Sequence, residues 1–205
     1  MADLDGARTL RWWEGFAEQV LERGDELSEL DRLAGDGDFG HNLRAAVRGA
    51  QARIQQAPTR GASEVFAAVT LGFLDTGGTS GPLLGMYLRE FARVGTDTFS
   101  VDDLARAARA GVETVQRLGG AELGDKTMVD AMLPAAEALA GAAGAGVPAV
   151  AGLAAAYRAA ADGARSTEAM RARRGRASYV GDVARGVVDP GALVIAWFFE
   201  RGTTV

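Results

Sequence analysis

The segment Leu30-Asp31-Arg32-Leu33-Ala34-Gly35-Asp36-Gly37-Asp38-Phe39-Gly40-His41-Asn42 carries three aspartates in the spacing D-x4-D-x-D. Carboxylates crowded onto one turn repel. At ~4 Å and an effective dielectric near ~20, each like pair costs about 4 kcal/mol before screening. A hard cation removes that penalty. The chain has no cysteine and one histidine, so an oxygen-only donor set points to magnesium or calcium and not to zinc. The loop lacks the glutamate that completes an EF-hand. Magnesium keeps waters and shares phosphate oxygens, which makes Asp31, Asp36 and Asp38 read best as part of a metal–nucleotide site. The competing explanation is that these residues are turn formers and caps, and for a lone Asp-Gly pair it would prevail. Three acids accompanied by three other polar loops tip the balance toward a site.

Those other loops are less specific one by one. Gly77-Gly78-Thr79-Ser80-Gly81-Pro82 opens a helix, where glycines allow close backbone approach and free N–H groups favour an anion. It matches neither the Walker nor the Rossmann pattern, and Ser80 could simply cap. In Gly124-Asp125-Lys126-Thr127, Thr127 reads as an N-cap and Lys126 as a solvated charge. Arg173, Arg174 and Arg176 form a basic cluster that is either a solvated surface or a phosphate clamp, since guanidinium matches phosphate geometry. Asp189-Pro190-Gly191 is fully explained as a helix start. His41 follows the acidic loop but has no Gly-x-Ser-x-Gly elbow to serve, so it is a weak candidate base. The Trp12-Trp13 pair reads as core plus interface.

These loops need a scaffold, and the sequence describes one. The 205 residues suggest one domain, 1–205. With 48% hydrophobic and 24% charged residues the chain can form a globular core. A net charge of -5 argues against a nucleic-acid partner. The absence of cysteine excludes disulfides and thiolate chemistry and suits a reducing, cytoplasmic setting. The first residues carry early acids and no apolar run, so no signal peptide is expected. The most apolar stretch, Ala131 to Ala161, is broken by Pro134, Glu137, Pro148 and Arg158 and is not expected to span a membrane.

Periodicity predicts eight helices and no strands. They run from Leu4 to Arg23 (with a turn from Glu26 to Leu33), His41 to Gln56, Ser63 to Asp75, Ser80 to Val94, Ser100 to Gly119, Thr127 to Ala143, Pro148 to Met170, and onward from Asp189-Pro190. The connections after the second, fourth and sixth helices are ordinary turns. Those after the first, third, fifth and seventh are rich in Gly and in Asp, Ser, Thr or Arg. In an up-and-down bundle alternate connections share an end. All four unusual loops are therefore expected at one pole of an all-α, eight-helix antiparallel bundle.

The same residues carry a resemblance. Leu30 to Asn42 resembles the L-D-x3-G-D-x-D-x-G-x-N signature of the nucleotide-binding (L) subunit of dihydroxyacetone kinase. Gly77 to Pro82, Gly124 to Met128, and Gly175 to Tyr179 followed by Asp189 to Ala192 resemble its other motifs in order. The resemblance implies an eight-helix antiparallel barrel with ADP (or ATP) at one end. It implies that Asp31, Asp36 and Asp38 hold a pair of Mg2+ ions. It assigns Phe39, Gly40, His41, Asn42, Thr79 and Ser80 to the phosphates and sugar, and Gly119, Thr127, Met128, Asp189, Pro190 and Gly191 to the rest of the nucleotide. Arg176 matches a phosphate-contacting, catalytic arginine. Two departures stand out: Phe39 replaces a polar residue found in some relatives, and Gly186-Val187-Val188 is more apolar than in some.

The resemblance also implies partners. The sugar is expected on a separate K-type subunit, bound covalently to a histidine there, and this chain alone is expected to phosphorylate nothing. The phosphoryl donor is expected to be a phosphotransferase-system protein that recharges resident ADP. The alternatives are ATP exchanging as a cosubstrate, or a nucleotide-bearing module docked on a transcription regulator. A homodimer is expected, with no nucleic acid and no membrane contact. The ketose, dihydroxyacetone or a relative such as erythrulose, is chosen by the partner.

Overall fold

The computed structural model describes residues 3–56, 61–78, 80–179 and 181–205. Eight α-helices follow one another: α1 (Gly6–Ala34), α2 (Phe39–Gln56), α3 (Ala62–Leu74), α4 (Ser80–Arg93), α5 (Val101–Gly119), α6 (Val129–Gly144), α7 (Ala149–Ser166) and α8 (Pro190–Gly202). Three 3₁₀ turns, Thr167–Ala169, Arg176–Tyr179 and Gly181–Ala184, occupy the connection between α7 and α8. Among the described residues there is no strand, only an isolated antiparallel bridge between Leu4 and Phe99. Each helix packs on the next, and α8 packs back on α1, which closes the ring. The all-α fold expected from the sequence is the fold observed.

Local chemistry sets most helix ends. Asp5 caps α1 by accepting from Arg8 N at 2.8 Å. Ser100 and Asp103 form the capping box of α5. Asp189 caps α8 through Ala192 N at 2.8 Å, with Pro190 at the first helical position.

Most boundaries shift by one or two residues from the sequence reading, and three differences have a tertiary reason. α1 runs unbroken to Ala34 and does not pause near Arg23. Gly24, the residue after the expected end, is where Arg44 of α2 crosses: a Cβ there would strike the Arg44 guanidinium, whose Nε donates to Leu21 O at 3.2 Å. α6 starts at Val129, not Thr127, because the buried Asp130 carboxylate accepts from Thr127 N (2.8 Å) and Gly124 N (2.6 Å). α7 stops at Ser166, short of Met170, because Thr167 is drawn into bonds with other loops, described below.

The ring is filled by aromatics. Trp12 stands edge-on to Phe66 and Phe91, with centroids 5.4 and 6.1 Å away, and against Phe198 at 4.5 Å. Its Nε1 donates to Phe198 O at 2.5 Å, locking α1 to α8. Each fully buried aromatic contributes on the order of 2–3 kcal/mol. Trp12 and Trp13 are both completely buried, so they are core and offer nothing to an interface. No described helix is long and apolar enough to cross a membrane.

Candidate functional site

The connections after α1, α3, α5 and α7 converge on one cavity of about 870 Å³. Four helices begin there: Phe39, Ser80, Val129 and Pro190 are the first residues of α2, α4, α6 and α8, and all four line it. The positive dipole ends of four helix starts favour an anion, while Phe39 N, Val129 N and Ala192 N are already taken by Asp31, Thr127 and Asp189. Four helix C-termini, from α1, α3, α5 and α7, bring carbonyl-rich ends to the same pole, which suits cations. Both kinds of helix end therefore meet at this pole.

The acidic cluster sits at its edge. Asp31, on the last turn of α1, and Asp36 and Asp38, on the turn after it, each direct one carboxylate oxygen to a place where all three lie within 4.8 Å of one another. Gly37, at φ +81°, supplies the left-handed step that turns Asp36 and Asp38 toward Asp31. Asp31 Oδ2 also accepts from Phe39 N at 3.0 Å, which joins the cluster to the start of α2. Asp31 and Asp38 are half-buried and Asp36 is exposed. Three carboxylates without sulfur or imidazole fit a hard divalent cation. Arg176 faces the cluster from the α7–α8 connection, ion-paired with Asp36 and 3.6 Å from Asp38.

Another part of the lining holds a buried charge network that the sequence reading missed. Lys126 is not a solvated charge: it is 1% exposed. Its Nζ donates to Thr167 O and to Val187 O, each at 2.5 Å. Among the described residues it is the one non-glycine with positive φ, +63°, a conformation that costs about 1–2 kcal/mol. Burial pulls its pKa down, opposed by the charges of Asp189, Glu168 and Asp130. Burial also pushes Asp189 up to about 7, with Asp130 and Asp31 adding to the shift and Ala192 N and Lys126 opposing it. Thr167 Oγ1 accepts from Asp189 N at 2.9 Å and donates to Ala164 O at 2.6 Å. The sequence offered one clue to this network, a lysine between a turn glycine and a helix start.

The rest of the lining is largely apolar, with Phe39, Leu43, Leu83, Val115, Ala121, Met128 and Pro190 among it. A pocket of this size, with an apolar wall and a charged edge, matches a small organic anion.

A family model described as the DAK2 domain matches residues 33–203. The chain belongs to the DAK2-domain family, that of the ADP-binding subunits of dihydroxyacetone kinase. Over 193 residues it is 31% identical to the ADP-binding subunit DhaL of the PEP-dependent dihydroxyacetone kinase 1 of Listeria innocua, covering 93% of this chain and 92% of that one. An L-erythrulose 1-kinase of Mycolicibacterium smegmatis is 38% identical over 192 residues, 91% of this chain and 33% of that protein. The crystal structure of the dihydroxyacetone kinase from C. freundii, in complex with AMP-PNP and Mg2+, superposes with a TM-score of 0.74 at 25% identity, over 99% of this chain and 34% of that one. The DAK2 chain therefore spans about a third of two of these relatives and nine-tenths of the third.

The DAK2 bundle gathers most of the residues singled out from the sequence. Asp31, Asp36, Asp38, Phe39, Asn42, Ser80, Gly119, Thr127, Met128, Arg176, Asp189, Pro190 and Gly191 all line the cavity. Two do not. Gly40 is buried where α2 meets α1, and a Cβ there would overlap Gly24 O. His41 is exposed and outside the lining. Thr79 lies outside the described residues. Arg173 and Arg174 join the lining; Arg173 N donates to Asp125 O at 3.0 Å, and Arg174 pairs with Asp125 at 3.9 Å.

Proposed function

We propose that this chain is the nucleotide-binding subunit of a dihydroxyacetone-type kinase, and that the polar cavity takes an ADP or ATP–magnesium complex. The observation that carries the reading is the convergence of Asp31, Asp36 and Asp38 within 4.8 Å, opposite Arg176, at the edge of a cavity entered by four helix N-termini. The names of the Listeria subunit and the C. freundii complex support the nucleotide and the ion.

In this reading Asp31, Asp36 and Asp38 hold the magnesium, with two ions expected. Bound magnesium would neutralise charge on the transferring phosphoryl group. The chain's own residues position and stabilise. Ser80 and the start of α4 face the phosphates with backbone N–H groups. Arg176 leaves its carboxylate partners to pair with phosphate oxygens, where a planar guanidinium gives two parallel bonds. Phe39, Leu83, Met128 and Pro190 supply an apolar wall for the base and sugar. In this reading the protein contributes orientation and electrostatics, with no covalent intermediate on this chain.

The acceptor ketose comes from a partner subunit docked over this pole. Six large apolar side chains stand exposed among the described residues: Leu33, Leu71, Leu74, Leu118, Leu123 and Tyr179. All six lie at the ends of α1, α3 and α5 or in the connections at the cavity's pole. Such a concentration at one end fits a docking face. The whole bundle is read as one domain, working in the cytoplasm where its nucleotide is found.

Two branches share the site. ADP held as a relay, recharged by a phosphotransferase-system protein, draws on the PEP-dependent relative; exchangeable ATP draws on the AMP-PNP of the C. freundii complex. Extensive dialysis with magnesium, followed by denaturation and chromatography, separates them. About one ADP per chain, released only by EDTA, supports the relay. Reversible ATP binding to an empty protein supports exchange. A folded protein that binds neither nucleotide ends the proposal.

A further inference from the structure

We infer that Lys126 is a positioning residue for the nucleotide cavity: its buried ammonium fastens the neck of the α7–α8 connection and thereby holds Arg176 and the Asp189 wall in place. The inference rests on the nucleotide reading above and adds a residue to it.

The geometry is specific. An ammonium has three donors and no acceptor. Two of those of Lys126 go to Thr167 O and Val187 O, carbonyls at the two ends of the excursion that carries Arg176. A single side chain therefore closes that excursion at its base, as the packed ends of an Ω-loop do. Gly186 N donates to Glu168 O at 2.8 Å and lies in the same neck. Thr167 passes the constraint on, because its hydroxyl accepts from Asp189 N. The lysine is itself held from below: Asp130 takes Gly124 N and Thr127 N on either side of it. Asp189, Glu168 and Asp130 surround the ammonium with negative charge.

The backbone supports a role for the side chain. Lys126 adopts φ +63°, where glycine is the easy choice. A glycine would relieve the strain and lose the ammonium, and the chain keeps the lysine. Lys126 also lines the cavity beside Thr127 and Met128, so a shift of its loop moves that wall as well.

The test uses the full chain with Lys126→Met, which keeps the length of the side chain, and Lys126→Gly, which relieves the backbone. Two readouts are independent of each other. Hydrogen exchange should accelerate across residues 168–186, the Gly186 amide included, while protection in α1 to α5 stays as in wild type. Calorimetry in magnesium should show ADP affinity lowered about 10- to 100-fold, as expected when an outer group that orients a site is removed. In a cycle with Arg176→Met, the second substitution should lose much of its effect once Lys126 is gone, because the lysine acts through the arginine's placement. A purely structural role predicts lower stability with an additive cycle. The inference falls if exchange in 168–186 is unchanged in the Gly variant, or if ADP affinity is unchanged despite faster exchange. A wild-type chain that binds no ADP overturns the nucleotide reading instead, and the exchange readout still decides whether Lys126 fastens the neck.

Discussion

Replacing Asp36 by Asn tests the carboxylate cluster at its least encumbered member. Asp31 already accepts from the Phe39 amide. Asp36 meets Arg176 and its two sister carboxylates and, among the described residues, caps nothing. With the oxygens within 4.8 Å of one another, an effective dielectric near ~20 gives roughly 3.5 kcal/mol of repulsion per pair. Solvent exposure and the Arg176 charge reduce the net effect to ~1 kcal/mol or less. The metal-free Asn variant should therefore match wild type or exceed it slightly. Ligand binding acts the other way. Mg-ADP at ~100 times its dissociation constant stabilises by about 2.7 kcal/mol, which is roughly 5–11 °C in Tm for a chain of this size. The assay is thermal unfolding by circular dichroism in EDTA, in magnesium, and in magnesium with ADP. Wild type should show the full shift with both present, and Asp36→Asn should lose most of it with an unchanged or higher Tm in EDTA. A variant that keeps the shift refutes the metal reasoning. A variant less stable in EDTA by ~2 kcal/mol or more refutes it differently, by making Asp36 a structural cap.

Arg176→Met should reduce phosphoryl transfer, measured with a sugar-binding partner subunit, by at least about 10²-fold with a smaller loss of ADP affinity. Gly40→Ala should lower stability by ~1–3 kcal/mol in urea unfolding, because its Cβ meets Gly24 O with no room to shift. The raised Asp189 carboxyl makes a signed pH prediction. Its folded value, about 7, exceeds the ordinary 3.8, so the folded chain holds the proton more tightly. Stability from this group is lost as pH rises from 3.8 through about 7 and is flat above. Urea midpoints across that window should fall for wild type and flatten in Asp189→Asn, which keeps a good N-cap. Leu118→Asp with Leu123→Asp should abolish pull-down of a sugar-binding partner while leaving ADP calorimetry unchanged.

The topology was legible because it needed only a count. Eight periodic segments and alternate connections put four odd loops at one end, and the cavity forms where they meet. The acidic cluster was legible because three carboxylates at close spacing have few structural uses. What failed was local reading of residues whose role is tertiary. Gly24 follows the expected end of the first helix, yet its lack of a side chain serves the crossing of Arg44. Gly40 sits inside a binding motif, yet it is buried against α1. Lys126 looks solvated because lysines usually are. Nothing local reveals that carbonyls from Thr167 and Val187 close over it.

These errors share a cause that bears on function. At the α4 end, away from the cavity, the buried Glu90 is paired with Arg89 at 3.3 Å and Arg93 at 3.5 Å, and the buried Arg89 Nε and Thr96 Oγ1 have no hydrogen-bond partner. The cavity's pole leaves its conflicts in place. Three like charges are crowded together, a lysine is strained and buried, a carboxyl is pushed up to about 7, and six large apolar groups are exposed. A sequence selected only for stability would remove most of these. Several features of this pole have a natural partner: a cation for the aspartates, an anion for Arg176 and the helix N-termini, and a protein surface for the leucines, while Lys126 and Asp189 answer each other inside the fold. That these features sit around one cavity is the physical reason for reading it as a single site, proposed to serve metal, nucleotide and partner subunit together.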